Sequence, residues 1–188
     1  MDKNLTQEAS NCLKIVLFGP ESTGKTTLSI ALAKHYKTVW APEFAREYLQ
    51  EKWNDAATIC EIEDIMPIAI GQIKLENDLL KDANKILFCD TNILETKIYA
   101  EEYYQNYSNK KLNEAVGNLN YTLYFLTDID TPYEQDDLRD RPDLRQEMFD
   151  AFKDGLERHF CTYQILSGSI EERMNKAKMS IDQLLTNG

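Results

Sequence analysis

The sequence predicts an α/β protein, an open parallel sheet of five strands with helices on both faces. Three observations carry this reading. Short apolar runs recur along the chain and each is followed by residues at helical spacing. The first run ends in a loop framed by Gly19 and Gly24. No repeat, low-complexity linker or composition break divides the 188 residues. Strands that alternate with helices pair in parallel, and right-handed crossovers leave few ways to wind them.

The strand-like pieces are residues 14–18, 38–40, 85–89, 121–126 and 163–166. Helical spacing over 25–36 places Leu28, Leu32 and Tyr36 on one face. Over 62–81, Ile62, Ile65, Met66, Ala69 and Ile73 share a face, but Pro67 cannot donate the intrahelical bond, so a kink or break is expected there. Further helices are expected over 93–104, 111–118, 144–158 and 170–185. A chain of this size buries ~70% of its unfolded surface in one core. The expected organisation is a polar leader, 1–12, and a single domain, 13–188, with a lid around 131–145.

Lys and Arg total 21 against 32 Asp and Glu, a net charge of −11. That balance argues against nucleic acid or anionic membrane as a partner. Cys12, Cys60, Cys89 and Cys161 form no C-x-x-C pair, and His35 and His159 stand alone, so reduced thiols and no zinc site are expected. The first residues lack the apolar centre of a signal peptide, and no window approaches ~18 apolar residues. A cytoplasmic protein is the expectation.

The loop completes G-x-x-x-x-G-K-[ST], and the strand before it and helix after it are the context that pattern requires. Gly19, Glu21, Ser22, Thr23, Gly24, Lys25, Thr26 and Thr27 are expected to surround the phosphates of ATP. Backbone N–H groups and the helix N-terminus bind the anion, Lys25 reaches the β/γ oxygens, and the Thr26 hydroxyl ligates Mg²⁺.

Asp90 ends the third strand, at the sheet edge where ligands bind. It suits a Mg²⁺ ligand, direct or through water; the other reading is a cap for the helix opening near Asn92. Glu43 and Arg46 follow the second strand. They are either a general base and an acceptor clamp or an exposed pair in a helix's first turns. A carboxylate after the second strand is free to face an acceptor, whereas one after the third lies nearer the phosphate loop. Glu43 is therefore assigned as base and Asp90 as metal ligand. Arg139 and Arg141, with Arg145 beyond them, either close over ATP and neutralise the moving phosphoryl group or belong to a solvated loop with Asp136, Asp137, Asp140 and Asp143. Tyr99, Tyr103, Tyr104 and Tyr107 crowd one region and, with Trp40 and Trp53, are expected to pack in the core or on the surface.

In order, "GPESTGKTTL" (19–28), "PEFAREYL" (42–49), "FCDTNILETKIYA" (88–100) and "LYFLTDIDTPYEQDDLRDRPD" (123–143) resemble the ribosylnicotinamide kinase domain of NadR-type bacterial proteins. With the spacing between them they cover nearly the whole chain after residue 12. The resemblance implies a P-loop kinase fold that moves the ATP γ-phosphate to the 5′-hydroxyl of nicotinamide riboside, giving nicotinamide mononucleotide in NAD salvage. It makes Lys25, Glu43, Asp90 and Arg139 catalytic and Glu43, Arg46, Asp90 and Asn92 substrate-binding. Asn92 stands where family members often have a second Asp. Larger relatives also carry an adenylyltransferase domain, and some a helix-turn-helix, neither of which is expected in residues 1–12.

The alternatives are a kinase for another nucleoside or small metabolite, or a regulatory P-loop switch. A GTPase switch would want Asp-x-x-Gly and Asn-Lys-x-Asp. Here Asp90-Thr91-Asn92-Ile93 lacks the glycine, and Asn175-Lys176-Ala177-Lys178 ends in the wrong charge.

Overall fold

The apolar runs become β1 (Leu13–Phe18), β2 (Trp40–Ala41), β3 (Ile86–Asp90), β4 (Leu123–Thr127) and β5 (Tyr163–Leu166), joined in one parallel sheet of order β2-β3-β1-β4-β5. The computed structural model describes residues 2–135, 138 and 142–187. The helices among them are α1 (Lys25–Tyr36), α2 (Phe44–Ala56), α3 (Ile65–Leu79), α4 (Ile93–Tyr103), α5 (Lys110–Val116), α6 (Arg145–Arg158) and α7 (Ile170–Asn187). The predicted fold class is the observed one.

Side chains alternate across a strand, so β1 feeds two cores. Val16 and Phe18 face α3, α4, α5 and α6, where Ile73, Leu94, Leu112 and Phe152 pack. Ile15 and Leu17 face the opposite layer, with Leu28 and Leu32 of α1 and Ala177 and Ile181 of α7. Every residue from Ile15 to Phe18 is fully buried, as a strand covered on both faces requires.

Two local expectations are corrected, and the segment before β1 gains contacts. The helix containing Pro67 is not kinked there: a 3-10 turn, Ile62–Asp64, precedes α3, and Pro67 lies in its first turn, where no intrahelical donor is needed. The second strand lies at Trp40–Ala41 because the Thr38 hydroxyl donates to the Ile86 carbonyl (2.6 Å) and ends the ladder. The polar segment before β1 is packed down: Leu5 is 2% exposed, and Asn77 of α3 bonds both Glu8 N–H and the Thr6 carbonyl.

Helix α2, outside the expected set, buries no residue fully. Polar contacts hold its middle to the start of α3: Tyr48 Oη donates to Asp64 Oδ1 (3.0 Å) and Lys52 Nζ to Asp64 Oδ2 (2.6 Å). Among the described residues no helix is long and apolar enough to cross a membrane. The chain moves from β1 to the β3–β2 side and then crosses to β4–β5. Strand order therefore reverses at the carboxyl end of β1, the position where open α/β sheets bind ligands.

Candidate active site

The loop after β1 is shaped by glycines at both ends. Gly19 has φ +132°, and a Cβ there would stand 2.8 Å from Thr127 Oγ1 and 3.0 Å from the Thr127 carbonyl oxygen. Gly24 adopts φ +85° at the N-cap of α1, a left-handed conformation that L side chains rarely take. Between them the Thr23 hydroxyl lies 2.7 Å from the Pro20 carbonyl and 2.6 Å from the Thr127 hydroxyl, which donates to Phe18 O. The loop is thus sewn to the end of β4.

Lys25 Nζ donates to the carbonyls of Gly19 (2.6 Å) and Pro20 (2.9 Å) and pairs with Glu95 (3.5 Å). Glu95 Oε2 also accepts the Gly19 N–H. Thr26 Oγ1 donates to Asp90 Oδ2 (2.5 Å), while Asp90 Oδ1 is buried with no protein partner. One ammonium therefore sits among several carboxylates, and the acidities show it. Burial pushes Glu95 up to about 8, with Lys25 pulling it back and Glu43 and Asp90 adding to the rise. Burial and the charge of Glu43 raise Asp90 to about 6, against Lys25 and the Thr26 bond. Burial alone would lower Lys25, but Glu95, Glu43, Asp90 and Glu21 together hold it above its ordinary value.

Above the loop lies a cavity of about 440 Å³, walled by residues 21–27 and by Glu43, Arg46, Leu49 and Thr131 among others. A second, more apolar chamber of about 230 Å³ adjoins it, and Glu21, Glu43, Ala45, Leu49, Glu95 and Tyr99 border both. Tyr99, Tyr103 and Tyr104 line this chamber, so these aromatics form a wall and are not packing alone. Tyr104 is oriented by donating to the Cys60 carbonyl (2.7 Å) and Tyr99 by an edge contact with Phe152.

Of the residues singled out from sequence, Glu21, Ser22, Thr23, Gly24, Lys25, Thr26, Thr27, Glu43 and Arg46 meet at the first cavity. Asp90 lies beneath it, 1% exposed, against Thr26. Asp90 is not the cap of α4. Asn92 is: its Oδ1 accepts from Leu94 and Glu95 N–H, its Nδ2 donates to Tyr124 Oη, and it is wholly buried. The structure does not bring Asn92 to either cavity, since both ends of its amide serve the fold. Arg139 and Arg141 lie outside the described residues. Arg145 is described and is no solvated loop residue: it donates to the Thr131 carbonyl (3.0 Å) and the Ser22 carbonyl (3.3 Å), with its guanidinium over the Tyr133 ring.

Two residues escaped the sequence reading. Glu95 follows Ile93 and Leu94 on α4 and leads to Ile98, so a carboxylate on a buried helical face was its signal. Arg173, 2% exposed, donates to the carbonyls of Thr23 (2.6 Å), Gly168 (3.0 Å) and Asp128 (3.2 Å) and pairs with Asp130. It clamps the phosphate loop from the far end of the chain.

A family model described as an AAA domain matches residues 14–173. The trifunctional NAD biosynthesis/regulator protein NadR of Salmonella typhimurium is 27% identical over 125 residues, 66% of this chain and 30% of that protein, and the Escherichia coli NadR matches over the same shares. The chain thus spans less than a third of the length of these curated relatives. A crystal structure of NadR protein in complex with NR superposes with a TM-score of 0.77 at 23% identity, covering 92% of this chain and 51% of that one. Thymidylate kinase from Ehrlichia chaffeensis superposes at 0.61 and 15% identity, covering 94% and 100%. The similarity to NadR read from the motifs is borne out, and the fold is that of P-loop kinases.

Proposed function

The chain belongs to the AAA domain family, and we propose that it acts there as a small-molecule kinase that phosphorylates the 5′-hydroxyl of nicotinamide riboside from ATP, giving nicotinamide mononucleotide. The observation that carries this reading is the adjoining pair of cavities: a phosphate loop faces one, tyrosines line the other, and Glu43 borders both. The likeness to NadR, including the structure in complex with NR, supports the choice of nucleoside.

In this reading loop N–H groups and the α1 N-terminus hold the ATP phosphates, and Lys25 follows the β/γ oxygens. Glu43 takes the proton of the acceptor hydroxyl, and Arg46 holds acceptor or phosphate oxygens. Arg139 and Arg141 are the proposed lid arginines. The wall of the first cavity sets Lys25 and Arg46 against Glu21, Glu43, Glu95 and Glu134, so phosphate binding there needs further positive charge. Mg²⁺ fits the residues present: the partnerless buried Asp90 Oδ1 and the Thr26 hydroxyl beside it are the hard oxygen donors it takes, directly or through water. Among the described residues no three His, Cys, Asp or Glu side chains cluster as a metal cage. When bound, Mg²⁺ would neutralise charge developing on the phosphates.

The test is ATP consumption with a nucleoside panel, with the product identified by mass. ADP release that depends on nicotinamide riboside and yields its monophosphate supports the reading. ATP hydrolysis indifferent to every nucleoside overturns it, and preference for another nucleoside moves the substrate while keeping the enzyme class.

A further inference from the structure

Glu43 opens α2, and the first N–H groups of a helix have no partner within it. A short side chain such as Asp or Ser at that position commonly bends back to cap them, which the longer Glu does less readily. Glu43 makes no such bond. The N–H of the next residue, Phe44, instead donates to Gln72 Oε1 of α3 (2.9 Å). Capping by a neighbouring helix leaves the Glu43 carboxylate to the cavities, which it borders on both sides.

Gln72 is itself held. It is 2% exposed, its Nε2 donates to Glu76 Oε1 (3.0 Å), and Glu76, 1% exposed, accepts from Tyr121 Oη on its other oxygen (2.7 Å). The polarity of this chain is forced. A backbone N–H can only donate, so the Gln72 oxygen must face Phe44 and its nitrogen must face an acceptor. A second contact fixes the same turn independently. The Phe44 ring lies over Gly71, where a Cβ would stand 2.1 Å from it. With no fully buried residue of its own, α2 takes the placement of its first turn from α3.

We propose that Gln72 is a positioning residue for the phosphoryl-transfer step: through the Phe44 N–H it fixes the peptide that carries Glu43, and Glu76 and Tyr121 fix Gln72. The inference rests on the base role proposed for Glu43.

Exchanging the pair tests it. Gln72→Glu sets two carboxylates face to face and should lower kcat by about 10- to 100-fold, the cost of misplacing a catalytic group, while the KM for ATP moves less than about twofold. Adding Glu76→Gln restores every donor and acceptor in the chain: the carboxylate at 72 accepts from Phe44 and from the amide at 76, whose oxygen accepts from Tyr121. The double exchange should return kcat to within about threefold of wild type. Gln72→Leu keeps the volume but removes the acceptor, and the Phe44 amide should then exchange about tenfold faster with solvent. Melting curves identify the folded variants. Wild-type kcat in folded Gln72→Glu and Gln72→Leu, or a folded double exchange as slow as Gln72→Glu alone, overturns the proposal. If the wild type phosphorylates no nucleoside, the kinase reading has failed. The Phe44 exchange rate still decides the tether, and an unchanged rate in Gln72→Leu refutes it.

Discussion

The two sides of the cavity are built differently. On the phosphate-loop side, Lys25, Asp90, Glu95 and Arg173 are each nine-tenths or more buried and tied to one another or to backbone carbonyls. On the α2 side nothing is fully buried, and the helix is held by Phe44 on Gly71, by the Phe44 N–H on Gln72, and by Tyr48 and Lys52 on Asp64. The first side is stiff because its buried charges, apart from Asp90 Oδ1, are held by close partners in a low-dielectric setting. The second hangs on a few contacts, and segments so held open at lower cost than the core. In the proposed reaction the site binds similar phosphates each time but admits and releases a nucleoside, which gives it reason to divide its stiffness this way.

The largest effect should come from the stiff side. Lys25→Ala should lower turnover by about 10³-fold or more, because a preorganised cation facing the phosphates is lost. It also strips Glu95 of its cation, so the melting temperature should fall too; a folded variant with near-normal turnover would break the comparison. Glu43→Gln, on the hanging side, should cost about 10²- to 10⁴-fold in kcat with ATP affinity nearly unchanged. Loss of ATP affinity instead would place Glu43 with the phosphates.

The comparison sharpens with Gly71→Ala, which pushes the Phe44 ring aside. Overpacking of this kind costs about 1–3 kcal/mol, and here it should raise the KM for nucleoside more than that for ATP in steady-state kinetics. Equal changes would mean that the two sides move as one.

The smallest effect concerns Glu76, the anchor of the α3 chain. Burial raises it to about 7 from an ordinary 4.5, against the bonds from Tyr121 and Gln72. Between those two pH values the folded protein keeps a proton that the unfolded chain gives up, so this group's contribution to stability falls as pH rises across the window and levels off above about 7. Glu76→Gln should flatten that part of the decline, read as urea midpoints at pH 5 and pH 8. An unchanged slope would mean that Glu76 titrates normally and is less enclosed than its neighbours.

The division between the two sides also marks what the sequence made legible. The phosphate loop is contiguous, and each residue in it is constrained by local geometry, so Gly19, Gly24, Lys25 and Thr26 could be read from spacing. The strands were legible because burial on both faces leaves uninterrupted apolar runs. Helix α2 was left out of the expected set although Phe44, Tyr48, Leu49 and Trp53 fall at helical spacing, because the charged residues among them masked the stripe and its anchors lie on α3. Asn92 was ambiguous for the converse reason: an Asn two residues past a strand suits a ligand and a helix cap equally, and only the partners of its amide show the cap. Pro67 was read as a helix breaker because its distance from the helix start depends on a 3-10 turn that periodicity does not mark. Glu95 and Arg173 act by contacts with residues 19 and 23, at separations no local pattern encodes; the Arg173 bond to Thr23 spans 150 positions.

That last span has a meaning in time. A ribosome adding ~5–20 residues each second needs roughly 8 to 30 s to go from Thr23 to Arg173. For that interval the nascent loop carries its signature motif but lacks the guanidinium that gathers the carbonyls of Thr23, Asp128 and Gly168. The loop is therefore made 150 positions before the residue that completes its clamp, so a stalled or clipped chain that ends before α7 would bear the motif without that clamp.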